Sequence, residues 1–180
     1  MPLLNSVTTP YAEAFLQVAN DLNQTEEIVS QSKEIIDIVS QSSQLNKALS
    51  SPILEKESKK KIIIQLFSDK INQSLLNLLK LLADRQRIGI LVPILERFLE
   101  LYRENSNIAL ATVTSAVELS KEQKELITKK ISAIAGTEKL ELVTKIDPNL
   151  IGGFVASVGS KVIDASLASQ IRKLGLSLSK

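Results

Sequence analysis

Ile151-Gly152-Gly153-Phe154-Val155-Ala156-Ser157-Val158-Gly159-Ser160-Lys161-Val162-Ile163-Asp164 is the stretch whose reading decides the fold. Two short runs, Phe154–Val158 and Lys161–Asp164, flank Gly159-Ser160. Glycine supplies the positive φ of a two-residue turn, so the runs predict a β-hairpin. Gly152 and Gly153 predict a sharp or crowded backbone where the first strand begins. The same glycines invite comparison with a phosphate-binding loop. That loop needs Gly, four residues, then Gly-Lys-Ser/Thr, between a strand and a helix. Here five residues separate Gly153 from Gly159, and Ser160 precedes Lys161. The flanking runs are both strand-like, so amides would not converge on a helix N-terminus. A small nucleotide-binding enzyme using Gly152–Lys161 therefore stands only as the alternative.

Working outward, Ala165-Ser166 opens a last helix with Leu167, Ile171, Leu174 and Leu178 at helical spacing, and Asp164 is its candidate cap. Upstream, Leu140, Leu142, Thr144 and Ile146 alternate, which predicts a strand stopped by the turn chemistry of Asp147-Pro148. Before it, Ser120-Lys121-Glu122-Gln123 has the form of a capping box, and the helix it opens buries Ile127, Ile131 and Ile134. Gly136 suits the left-handed cap at that helix's end. Residues 108–116 are β-branched around Thr112, Val113 and Thr114, a further strand. The order strand, helix, strand, strand, strand, helix describes a small α+β unit. The character of the chain changes near residues 104–107, so we place domains at 1–105 and 106–180.

The first half reads as helices throughout. Thr9-Pro10 is a good N-cap and first-position pair, followed by the stripe Val7, Tyr11, Ala14, Val18 and Leu22. A second helix starts near Thr25, with Glu26 and Glu27 at the positive end of its dipole and Ile28, Ile35 and Val39 on one face. A short third segment, 44–50, stops before Pro52. A fourth carries Ile62, Ile63, Leu66 and Phe67. A fifth, 71–82, is leucine-dense around most of its circumference and belongs in the centre. A sixth, 88–102, contains Pro93, which should kink or restart it. The fold class is mainly α: a six-helix bundle followed by a small α+β domain.

Composition excludes much chemistry. Among 180 residues there is no Cys and no His, so disulfides, thiol nucleophiles and the usual general base are all missing. Hydrophobic residues make up 44% and aromatics 3%, so the core is aliphatic and stacking platforms for nucleic acid are lacking. The net charge of +2 is spread over interspersed residues, and no nucleic-acid partner is expected. Lys56, Lys59, Lys60 and Lys61 read as the solvated face of a helix rather than an anion site. Asp84-Arg85-Gln86-Arg87 reads as a solvated turn with local ion pairs. No carboxylate cluster has metal-ligand spacing, so no catalytic residue, metal or cofactor is expected. No apolar run is long enough to span a bilayer, and no targeting segment is visible.

Lys145-Ile146-Asp147-Pro148-Asn149-Leu150-Ile151-Gly152-Gly153-Phe154, with Gly159, Val162-Ile163-Asp164, Ser166, Ile171 and Leu174, resembles the signature of the F-type ATP synthase delta subunit family. The mitochondrial equivalent is the oligomycin-sensitivity-conferring protein. Pro10-Tyr11-Ala12 with Ala14, Leu49 with Pro52, and Asn77 with Lys80-Leu81-Leu82 resemble the same family's earlier segments, so the likeness covers the whole chain. The resemblance implies a non-catalytic stator subunit, one copy per complex, linking the alpha and beta subunits of the catalytic head to b-type stalk subunits. It implies that helices one and five form a groove for an alpha-subunit N-terminal helix, which transfers that role to Tyr11, Ala14, Phe15, Val18, Leu78 and Leu81. It implies that the C-terminal domain joins the stalk, through Val162, Ile163, Ile171 and Leu174. Pro10-Tyr11-Ala12-Glu13-Ala14 and Asp84-Arg85-Gln86-Arg87-Ile88 are similar to cyanobacterial and chloroplast relatives. The implied location is peripheral, on the cytoplasmic side of a bacterial inner or thylakoid membrane, without direct insertion. A free-standing helical adaptor would use the same surfaces.

Overall fold

The computed structural model describes residues 2–136 and 139–178. The chain is mainly helical with one small sheet, and it divides into two compact units, Met1–Tyr102 and Arg103–Lys180.

The first unit carries α1 (Pro2–Asp21), α2 (Thr25–Gln41), α3 (Ser43–Ser50), α4 (Lys56–Phe67), α5 (Gln73–Asp84), a 3-10 turn (Ile88–Ile90) and most of α6 (Leu91–Asn105). α1 starts seven residues before the expected Thr9 cap, and Pro10 sits inside it. Proline deletes one intrahelical hydrogen bond, and Pro10 is exposed, so the helix runs through it. Pro93 does restart its helix: the 3-10 turn ends at Ile90, and Pro93 falls in the first turn of α6, where an N–H would lack a partner anyway. Ser42 caps α3 by accepting from the Leu45 N–H at 3.2 Å, and Asn72 caps α5 by accepting from the Ser74 N–H at 2.9 Å.

The core of this unit is aliphatic, with Leu75, Leu79 and Leu82 of α5 fully buried at its centre. Ile28, Ile35 and Val39 of α2 pack into it as their spacing predicts. Phe15 of α1 and Phe98 of α6 add an aromatic pair with centroids 5.1 Å apart. The face α1 buries is Ala12, Phe15, Leu16 and Ala19, not the expected stripe. Val18 and Leu22 of that stripe are 44% and 51% exposed. α1 thus has two apolar faces, and only one is covered within this unit.

The second unit carries β1 (Ala109–Ser115), α7 (Lys121–Ala135), β2 (Leu140–Ile146), β3 (Phe154–Val158), β4 (Lys161–Asp164) and α8 (Leu167–Leu178). The sheet order is β2-β1-β3-β4. β1 and β2 are parallel, which requires a crossover, and α7 supplies it. β3 pairs antiparallel with β1 and with β4. The capping box at Ser120 forms, and Gly136 ends α7 at φ 72°. Ala111, Val113 and Ala156 face Ile127 and Ile131 of α7 in a small core. Asp164 does not cap α8 directly. Its carboxylate accepts from the Ser166 N–H at 2.9 Å, and the buried Ser166 hydroxyl accepts from the Ser169 N–H at 3.2 Å, so Ser166 is the cap. The side chains of Ile134, Leu174 and Leu178 lie outside the described residues.

Candidate functional site

α1 and α5 lie side by side and antiparallel in the first unit. Asn72, at the start of α5, donates to the Gln24 side chain beyond the end of α1 at 3.1 Å. At the opposite end, Arg87 Nη1 donates to the Tyr11 hydroxyl at 2.9 Å, and the guanidinium carbon lies 5.7 Å from the ring centroid. Between these two tethers is an open groove of about 280 Å³. Phe15 and Leu78 form its floor, being only 5% and 7% exposed. Val18 and Leu81 stand as walls, 44% and 43% exposed. The small Ala14 leaves room in the middle, Tyr11 stands at one end, and Ser74 and Asn77 make the polar side.

All six residues assigned to the alpha-subunit site, Tyr11, Ala14, Phe15, Val18, Leu78 and Leu81, therefore line one groove. From Tyr11 to Val18 is two helical turns, about 10 Å of axis. A helix laid there would present residues at i, i+3 or i+4, and i+7.

The run Asp84-Arg85-Gln86-Arg87 does more than make a solvated turn. Asp84 pairs with Lys60 of α4, and Arg87 reaches Tyr11 of α1. The backbone explains the second contact. Gln86 adopts φ 55°, the Arg87 N–H bonds the Leu82 carbonyl at 2.7 Å, and the Gln86 N–H bonds the Ala83 carbonyl at 3.0 Å. That is a Schellman turn, which folds the chain back over α5 and aims Arg87 at the groove. A glutamine in the left-handed position carries little sequence signal, since glycine or asparagine is usual there. The Asp84 carboxylate, by its hydrogen bond and then its charge, holds the Lys60 ammonium above its ordinary pKa. The lysine run is not a uniformly solvated face either, because Lys59 is buried.

In the second unit the assigned stalk residues do not share one surface. Val162 and Ile163 are neighbours in β4, so they point to opposite faces of the sheet. Ile163 pairs with Ala156 and packs against the core on the α7 side. Val162 pairs with Ser157, and Thr112 and Val143 continue that row across the sheet. Val162 is 67% exposed on this outer face, and Ile171 of α8 is likewise exposed. The side chain of Leu174 lies outside the described residues. Val117, Leu126 and Ile151 edge a second groove of about 460 Å³. Ile151 belongs to the stretch quoted above, whereas Val117 and Leu126 carry no sequence signal beyond apolar character.

The glycine segment makes the expected hairpin, with Val158 paired to Lys161 and Gly159 at φ 56°. A side chain on Gly153 (φ 80°) would run into the Ala165 carbonyl, and one on Gly152 would lie 2.7 Å from Leu167 Cδ1. These glycines let the strand start pass beneath the first turn of α8. The segment connects strand to strand, so it lacks the loop-to-helix geometry of a phosphate-binding loop. Among the described residues no group of acidic side chains could hold a metal ion, and no helix is long and apolar enough to cross a membrane.

Residues 7–178 match the family described as ATP synthase delta (OSCP) subunit. The chain is 79% identical over its full length to the ATP synthase subunit delta of Prochlorococcus marinus strain AS9601, all of which is covered. It is 58% identical, again over its full length and 99% of the relative, to that of strain MIT 9303. Among solved structures, a chain of the Toxoplasma gondii mitochondrial ATP synthase hexamer superimposes with a TM-score of 0.70. That match covers 96% of this chain and 97% of the other at 20% identity, and it speaks to the fold.

Proposed function

Since the chain belongs to the ATP synthase delta (OSCP) subunit family, a structural rather than catalytic part of the complex, we propose that it holds the catalytic head to the peripheral stalk. The observation that carries this is the α1–α5 groove. It is apolar, two helical turns long, and open to solvent over a buried floor.

In this reading residues 1–105 act as a six-helix bundle on the head, with the N-terminal helix of an alpha subunit lying in the groove. Residues 106–180 join the b-type stalk subunits, with Val162 and Ile171 as the exposed contacts. The chain sits peripherally, on the cytoplasmic face of a bacterial inner or thylakoid membrane. Rotation of a central shaft would drag the head with it. A stator resists by binding on both sides, which takes complementary surfaces and no reacting groups.

The test is co-purification from solubilised membranes. Tagged chain should recover alpha, beta and b-type subunits. A Val18→Glu chain places a charge on the groove wall and should lose alpha and beta while keeping the b-type subunits. Recovery of none of them by the unaltered chain, or full recovery of the head by Val18→Glu, would overturn the assignment.

A further inference from the structure

A second cavity in the first unit lies away from the groove, among the α3–α4 loop, the start of α4 and the turn after α5. Its volume is about 190 Å³. The lysine run supplies its charge: Lys56 and Lys59 both line it, with Ser50, Ser51 and Gln86, and no carboxylate does.

Lys59 is the decisive group. It is 7% exposed, so more than nine-tenths of it is out of water. Lys60, its neighbour, has Glu57 and Asp84 as partners. The Lys59 side chain has no hydrogen-bonding or ionic partner among the described residues. Its stem is covered, and its ammonium keeps contact with solvent at the cavity it lines, without a counter-charge there.

Two further features have the same sign. α4 begins at Lys56, and the residue at its cap position, Glu55, makes no side-chain capping bond. The first N–H groups of the helix are therefore left for another acceptor, at the positive end of the helix dipole. The Ser51 hydroxyl oxygen accepts from the Ile53 N–H at 3.3 Å, which leaves its own proton to donate. The Ser50 hydroxyl donates to Asn46 at 3.2 Å and only accepts here. Glu57, the acidic residue of the first turn, is directed to Lys60 at 3.7 Å and is not part of the lining.

We propose that this cavity is a site for a small tetrahedral oxyanion, inorganic phosphate or the phosphate of a small monoester. Lys59 would meet it from the buried side, Lys56 and the start of α4 from the mouth, and Ser51 from the loop. A volume of about 190 Å³ equals roughly six waters, enough for one such anion and its residual hydration. Gly89 keeps the far wall close: a Cβ there would come within 3.1 Å of Ser50 Cα. The site is independent of the α1–α5 groove and of the stator assignment.

The experiment titrates inorganic phosphate, then methyl phosphate, into the ¹⁵N-labelled full chain at constant ionic strength held with chloride. Saturating amide shifts should concentrate at Ser51, Lys56, Glu57 and Lys59. Tighter binding of one anion identifies the source, and saturation by either supports the site. Lys59→Met, which keeps the buried stem and removes the charge, should weaken binding at least about tenfold, the loss of one charged hydrogen bond. Lys61→Met, on the exposed side of α4, should change it less than twofold. Should Lys59→Met lose dispersion in its spectrum, Ser51→Ala supplies the same comparison with a smaller expected loss of about threefold. Shifts that rise linearly without saturating, or spread equally over surface lysines, or persist unchanged in Lys59→Met, would overturn the proposal.

Discussion

Removing the two groove walls together, by Val18→Ala with Leu81→Ala, separates docking from folding. In the free chain these side chains are 44% and 43% exposed, so folding has already collected little more than half of their burial. Full burial of a Val or Leu side chain is worth about 1.5–3 kcal/mol. A helix seated in the groove would cover the remainder, which amounts to about 0.7–1.3 kcal/mol for each wall. The pair should then contribute about 1.5–2.5 kcal/mol to docking, or roughly a 10- to 70-fold change in Kd. Isothermal titration of the full chain with a synthetic alpha-subunit N-terminal helix measures this directly. Leu79→Ala is the matching control, because Leu79, two residues before Leu81, is fully buried on the core face of α5. It should cost about 2–5 kcal/mol in urea unfolding while the folded fraction keeps its affinity. If the wall variant binds within twofold of the unaltered chain, or unfolds as easily as Leu79→Ala, the groove is not the docking surface.

Other outcomes follow from single contacts. Gly153→Ala should destabilise the second unit by more than about 2 kcal/mol, since its φ of 80° and the Ala165 carbonyl both oppose a Cβ. Gly159→Ala, at φ 56° with open space around it, should cost about 1 kcal/mol in the same denaturation series. The Ser32 hydroxyl is buried without a hydrogen bond among the described residues, so Ser32→Ala should raise stability by about 1 kcal/mol, seen as a higher melting temperature. Val162→Glu should abolish capture of b-type subunits with the melting temperature unchanged, whereas Ile163→Ala should lower that temperature first, because only Ile163 packs on the core. The Lys60–Asp84 pair gives a pH signature. A folded pKa raised above 10.5 means its stabilisation is complete below that value and lost as pH climbs through the raised one. Asp84→Asn should therefore remove an alkaline unfolding component.

Local signals were legible wherever one residue type answers one backbone requirement. The capping box at Ser120, the left-handed Gly136, the hairpin at Gly159-Ser160 and the restart at Pro93 all form where the chain's chemistry asks for them. What stayed hidden was set by tertiary contact. Gln86 takes a left-handed position that glycine would normally fill, and the reach of Arg87 to Tyr11 depends on it. Two residues 76 apart offer no local pattern to announce their bond. The charge of Lys59 assigns it to solvent, yet it stands four residues before Ile63 and eight before Phe67, so helical spacing puts its stem on the buried face of α4. Asp164 and Ser166 both have cap chemistry, and only the turn geometry decides that one orders the other.

The stripe on α1 is the most informative of these cases. Tyr11, Ala14, Val18 and Leu22 and the set Ala12, Phe15, Leu16 and Ala19 are both spaced for a helix, and periodicity cannot rank them. A helix with one apolar face has its orientation settled by the core. A helix with two must leave one face in water unless something else covers it, and exposed apolar surface carries a standing cost that folding does not recover. On α1 the uncovered face is not scattered. It meets Leu78 and Leu81 of α5 in one channel, tethered at one end by Asn72 to Gln24 and at the other by Arg87 to Tyr11. The core beneath, Phe15 with Leu75, Leu78 and Leu79, sets how the two helices pack, and the polar contacts mark the ends of the channel. An apolar channel left over a packed floor is the arrangement expected of a surface whose last layer of core is contributed by another chain.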